Sequence, residues 1–273
     1  MALVQVPFQL HMTGDLAEKH QFEAYDGYTG LAGFARTLSL VANYVETGKI
    51  RQRGDFEGRH SIVANPMREG SLIADFAAII ESTPFASIGA AAAGISAAEL
   101  LRRLTDRVFK QNLGQDVDET DLEHFGRARR GDVETLVAIT EAPIRQTHHL
   151  VNARVQNINV ISGVNLINKL NEGTKQYVMS DYKDDSVTCK DVTISSFNAN
   201  SGYGSLFDFD LGRTVAFTMS RENLAKYKHV FSWGLDQYSN ETRRRVNVCF
   251  SRTLWMDERA KRYQIVKASK PAD

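Results

Sequence analysis

Cysteine is nearly absent from this chain, no sign of charge prevails, and no apolar run is long enough to cross a bilayer. Two cysteines among 273 residues exclude a disulfide-rich scaffold, and Cys189 and Cys249 lack the paired spacing of a zinc site. Both stand in alternating apolar contexts, which reads as reduced core cysteine in a cytoplasmic protein. Lys and Arg number 33 and Asp and Glu 33, so attraction to nucleic acid or membrane must come from a local patch. The first ten residues carry neither the basic nor the apolar stretch of a secretion signal. Internal repeats are also missing.

The motifs of common catalysis are missing too. His-Glu-x-x-His, Cys-x-x-Cys, Gly-x-Ser-x-Gly and phosphate-loop patterns do not occur. Of seven histidines only His148 and His149 are neighbours, and adjacent helical residues point about 100° apart, too divergent to share a metal readily. Asp181, Asp184 and Asp185 cluster without the glycine and spacing of a calcium loop, which reads as a solvated linker. Asp26, between Tyr25 and Tyr28, is better placed as a helix-start carboxylate than as an acid–base group. These readings imply neither an enzyme nor a cofactor.

What is present is ordinary globular composition, 42% apolar and 24% charged, at a length that fits one large domain or two small ones. The fold class expected is α+β, with an N-terminal α/β module (1–80), a helical segment (81–155), a connecting strand and linker (156–185) and a small five-stranded β-barrel (186–273). Val6, Phe8, Leu10 and Met12 alternate as one face of a strand. Leu31, Phe34, Leu38, Val41 and Val45 recur at helical spacing in a helix that ends near Gly48. Further strands are expected over 50–56, 60–65 and 71–76, and helices over 100–109, 120–130 and from Asp132 past Pro143 to Leu150.

Between Ser82 and Ala98 lie seventeen uncharged residues, mostly alanine, glycine and serine. Small residues let helices approach closely, so Ala86–Ala98 reads as a buried or self-associating helix, with a membrane-inserting element or a flexible linker as the alternatives.

From Val187 the pattern is β: strands over 187–197, 203–209, 214–220, 245–254 and 262–268, with a helix over 222–238. The string Val192-Thr193-Ile194-Ser195-Ser196-Phe197-Asn198, then a polar turn and Gly202-Tyr203-Gly204, resembles the opening of cold-shock domains, and the later strands keep that order. The resemblance covers about 80 residues and implies an oligonucleotide-binding (OB) type barrel. It also implies a platform of exposed aromatics for stacking bases, but only Phe197 and Tyr203 stand at such positions here; Ser196, Ser205, Ala216, Thr218 and Met219 hold the others.

A basic stretch offers a substitute. From Arg243 to Asp273 there are nine Lys and Arg against three acids, interleaved with Trp255 and Tyr263. Arg243, Arg244, Arg245, Arg252, Lys261 and Arg262, with Phe197, Tyr203 and Trp255, are therefore the candidate contacts to RNA or single-stranded DNA. A solvated, acid-neutralised turn is the plainer account of Arg243–Arg245. The remainder of the chain, including Tyr25-Asp26 and Arg68-Glu69-Gly70-Ser71, is similar to a set of uncharacterised bacterial and prophage proteins, a distribution that would suit phage defence. The functions expected are a nucleic-acid-binding protein or, alternatively, a membrane-acting defence effector or a self-assembling protein–protein adaptor.

Overall fold

The computed structural model of the chain describes residues 2–51, 55–65, 72–84, 94–117, 130–200, 202–242, 244–255 and 258–271. It divides into two compact units, Met1–Gly126 with Ile139–Met179, and Arg127–Ala138 with Ser180–Asp273.

The first unit is built on a five-stranded antiparallel sheet. Its strands are β1 (Leu3–Thr13), β2 (Ser61–Ala64), β3 (Leu72–Glu81), β4 (Asn157–Ser162) and β5 (Asn165–Asn171), in the order β2-β3-β1-β4-β5. Val6, Phe8, Leu10 and Met12 of β1 are fully buried, as their alternation requires. After the short α1 (Asp15–Glu18) comes α2 (Ala24–Thr47), whose end is set by Gly48 in a left-handed conformation at φ 64°. Phe34 of α2 ties the layers together, with its ring 6.4 Å from Phe8, 5.1 Å from Phe76 and 6.1 Å from Phe109. Phe109 belongs to α3 (Ala97–Asn112), which Ser96 caps by accepting from the Glu99 amide.

Most of the expected Ala86–Ala98 helix, residues 86–93, lies outside the described residues, as do residues 120–129 of the helix expected over 120–130. Residues 50, 51, 55 and 56 are not in a strand. Next comes α4 (Arg130–Thr147), which carries Pro143 inside it and ends in a 3-10 turn over His148–Leu150. The stretch expected to connect, 156–185, is built into the two units instead. It supplies β4, β5 and α5 (Glu172–Met179) to the first and the start of a barrel strand to the second.

The second unit holds a closed five-stranded barrel of β6 (Asp181–Phe197), β7 (Gly204–Asp208), β8 (Arg213–Met219), β9 (Val246–Trp255) and β10 (Ala260–Ser269). In barrel order the strands run β6-β7-β8-β10-β9 and back to β6, with β10 parallel to β8 and every other pair antiparallel. Counted from the first strand this is 1-2-3-5-4, the order of an OB-type barrel. Between β8 and β9 runs α6 (Arg221–Ser239), capped by Ser220, and its Val230 and Phe231 enter the core beside Val192, Ile194, Phe217 and Val246. Gly204 is required by packing: a Cβ there would lie 2.4 Å from both the Phe217 ring and the Ser196 carbonyl. The space it leaves is used by Phe217.

Two sequence expectations are corrected in this unit. Cys189 and Cys249 are directly opposed on β6 and β9 and form a disulfide, with Cys189 on the exposed outer face. They alternate with core residues rather than joining them, so they are neither reduced nor core cysteines. Asp181, Asp184 and Asp185 are not a linker: they lie in β6, with Asp184 opposite Arg252 and Asp181 opposite Trp255.

Candidate functional site

A barrel strand sends alternate side chains inward, and at one end of this barrel the inward series stops being apolar. On β6, Val192 and Ile194 are followed toward that end by Lys190 and Thr188. On β8 the series Met219, Phe217, Val215 arrives at Arg213, and on β9 Val246, Val248, Phe250 arrives at Arg252. On β7, Leu206 gives way to Asp208, which is fully buried. The result is a cavity of about 380 Å³ in the barrel mouth, at the lower end of the range for small-ligand sites. Its rim comes from the β7–β8 and β9–β10 hairpins, through Leu211, Glu258 and Arg259.

The floor is aromatic. Phe250 and Tyr263 stack at 3.8 Å between centroids, both buried. The Tyr263 hydroxyl donates to Asp208 Oδ2 at 2.6 Å, and Lys190 Nζ donates to both Asp208 oxygens at 3.0 and 3.3 Å while also pairing with Asp210. Burial pushes the Asp208 carboxyl up, but the bonds from Tyr263, Lys190 and the amides of Asp210 and Leu211 outweigh it and hold the group below its ordinary value. Burial and then the bond to Asp208 push the Tyr263 phenol well above its ordinary value, so it stays protonated as a donor.

Among the described residues, four cationic side chains thus line one cavity with a single carboxylate, Glu258. Lys190 is committed to Asp208 and Asp210, and Arg252 is paired with Asp184. Arg213 differs. It donates to the Ala260 carbonyl at 2.6 Å and has no carboxylate partner among the described residues. The arrangement suits an anion: several fixed donors over an apolar floor, with one guanidinium fork not already neutralised.

The residues expected from the sequence are scattered relative to this cavity. Arg252 lines it. Phe197 belongs to the core, its ring stacked 6.2 Å from Phe217 and 5.5 Å from Phe231. Tyr203 is half-buried with the Arg262 guanidinium 6.0 Å from its ring. Arg244 is exposed, Arg245 lies over the Phe209 ring at 3.7 Å, and Arg243 lies outside the described residues. Lys261 sits over Trp255 at 4.2 Å and pairs with Asp181 at 3.0 Å. Lys190, Arg213, Arg259 and Asp208 were not among the contacts expected from the sequence. The signal was available, since the inward alternation turns polar at corresponding ends of four strands, but reading it requires the strand register.

The positions matching the stacking platform of the resembled family are not merely stripped of aromatics. Thr135, in the first half of α4 and part of this same unit, lies 3.0 Å from the Ser196 hydroxyl, which lies 2.8 Å from the fully buried Ser205 hydroxyl. That patch of β6 and β7 is covered by the chain itself.

Among the described residues no three His, Cys, Asp or Glu side chains gather as a metal site, and no helix is long and apolar enough to cross a membrane. Residues 8–179 match the model of the family described as "Domain of unknown function (DUF7946)". The chain belongs to that family. Its match ends where the first unit ends, so the barrel and its mouth lie beyond the DUF7946 domain. No curated protein and no solved structure matches the chain.

Proposed function

We propose that the chain is a non-enzymatic binding protein whose barrel associates with nucleic acid, RNA or single-stranded DNA, through cationic side chains at the barrel mouth. One observation carries this reading: Lys190, Arg213, Arg252 and Arg259 converge on one cavity of a barrel with OB-type strand order. Arg244 and Arg245, exposed just before β9, extend the basic surface. The affinity would be dominated by phosphates, because Phe197 and Tyr263 are committed to the core and stacking platforms are scarce.

The test is fluorescence anisotropy with a labelled single-stranded RNA at several salt concentrations. For about three phosphate contacts, affinity should fall roughly 20-fold between about 50 and 200 mM salt. The double variant Arg213→Ala, Arg259→Ala should weaken binding and flatten that slope. Absence of binding at low salt, or a slope untouched by the double variant, would overturn the reading.

A further inference from the structure

We infer that the barrel mouth receives a phosphate monoester, as a phosphorylated strand end or a free nucleotide, rather than the interior of a passing strand. The inference rests on the nucleic-acid reading above and adds which part of the ligand enters.

The cavity is blind. Its floor is the stacked pair Phe250 and Tyr263, below which the barrel is filled by the core cluster as far as α6, where Val230 and Phe231 join Ile194 and Val246. A Cβ on Gly234 of α6 would lie 2.6 Å from Val246 and 2.7 Å from Ile194, so the helix is seated directly on that far end. An internal phosphodiester has chain leaving on both sides and needs a groove open at two ends. A terminal phosphate needs one opening, which is what a barrel mouth closed below provides.

Charge points the same way. A monoester near neutral pH carries about −1.5 to −2 and presents three terminal oxygens, against one charge and two such oxygens for a diester. Arg213 is held by its bond to the Ala260 carbonyl, which fixes the guanidinium at the wall, and that is its one hydrogen bond among the described residues. The rest of its fork is available for bidentate contact with a phosphate, with Arg259 on the facing hairpin. The volume, about 380 Å³, lies at the small end of ligand cavities and suits a terminal group better than a length of strand.

The test compares three probes on the full chain: a short single-stranded RNA with a 5′-phosphate, the same RNA with a 5′-hydroxyl, and adenosine monophosphate. The phosphorylated RNA should bind about tenfold more tightly than its hydroxyl counterpart, one charge-assisted contact's worth, and Arg213→Ala should erase that difference. Binding of adenosine monophosphate, lost in Arg213→Ala, identifies the free nucleotide as a source of the same chemistry; if neither RNA then binds, the strand reading falls and the monoester site stands. Equal binding of the two RNAs with no binding of adenosine monophosphate overturns the inference while leaving the strand reading intact. If no probe binds, both fall. The comparison between probes is made on the unaltered protein, so it does not depend on the variant folding.

Discussion

The Tyr263 hydroxyl donates a 2.6 Å hydrogen bond to the carboxylate of Asp208, a charge with no exposed surface at the inner end of the barrel mouth. A carboxylate in that position persists only because every approach to it is a donor: Tyr263, Lys190 and two backbone amides. This cluster holds β6, β7 and β10 together where the apolar core stops, and it shapes the cavity.

Replacing Tyr263 by Phe keeps the stack on Phe250 and removes one donor from a buried charge. We expect a loss of about 1.5–3 kcal/mol in barrel stability, measured by urea unfolding, because a bond to a charged group is lost with no water to replace it. Asp208→Asn should cost at least as much, since Lys190 then faces only Asp210 among its two present carboxylate partners.

The disulfide joins positions 60 residues apart on neighbouring strands. The double variant Cys189→Ser, Cys249→Ser should lower barrel stability by about 2–4 kcal/mol, mainly by freeing the unfolded chain. Unreduced protein should release no thiol to a thiol-reactive dye before denaturation with reductant. Two titratable thiols in the untreated protein would contradict the pairing.

Acid should weaken the first unit through His148. Its ring is buried, with Nδ1 2.8 Å from the Ile144 carbonyl and Nε2 3.1 Å from the Thr174 hydroxyl, and burial pushes its pKa from 6.5 down to about 4. The unfolded chain therefore binds the proton more readily, so stability is full above about pH 6.5 and lost as pH falls toward 4. Between pH 7 and pH 5 this one group should remove about 2 kcal/mol. Unfolding curves at the two pH values should differ accordingly, and His148→Gln should shrink the difference.

Glu258 occupies the left-handed region at φ 63° on the β9–β10 hairpin and is the one carboxylate among the described residues that line the mouth. Glu258→Gly should raise stability by about 1 kcal/mol by removing an unfavourable backbone conformation. It should also tighten binding of the phosphorylated RNA by removing a like charge. Unchanged affinity would separate the hairpin from the binding site.

Much of the fold is legible in the chain itself. Alternation at Val6–Met12 and helical spacing from Leu31 to Val45 each specify one element, because a half-buried strand or helix must repeat its apolar face with its own period. Gly48 marks a helix end for a local steric reason. The five barrel strands and α6 follow from the same short-range rules, with bounds that shift by at most a few residues except in β6, which begins at Asp181. There the rule failed: Asp181, Asp184 and Asp185 look like solvated chain, yet they lie in a strand, with Asp184 opposite Arg252 of β9 and Asp181 within reach of Lys261 of β10. A partner 68 or 80 residues away leaves no trace in local composition.

The candidate site divides along the same line. The sequence by itself determined that a barrel would form, that its stacking platform would be depleted, and that cations would be plentiful after Arg243. Only the tertiary structure decided which cations gather at the mouth: Arg213 and Lys190, from outside the basic stretch, join Arg252 and Arg259 there, while Lys261 goes to Asp181 and Trp255. It also decided the pairing of Cys189 with Cys249 and the seating of Thr135 against Ser196. The physical reason is common to all of these. Periodicity is a property of one segment and can be read from it, whereas register fixes which segments meet, and charge, thiol and hydroxyl chemistry take their roles from what they meet.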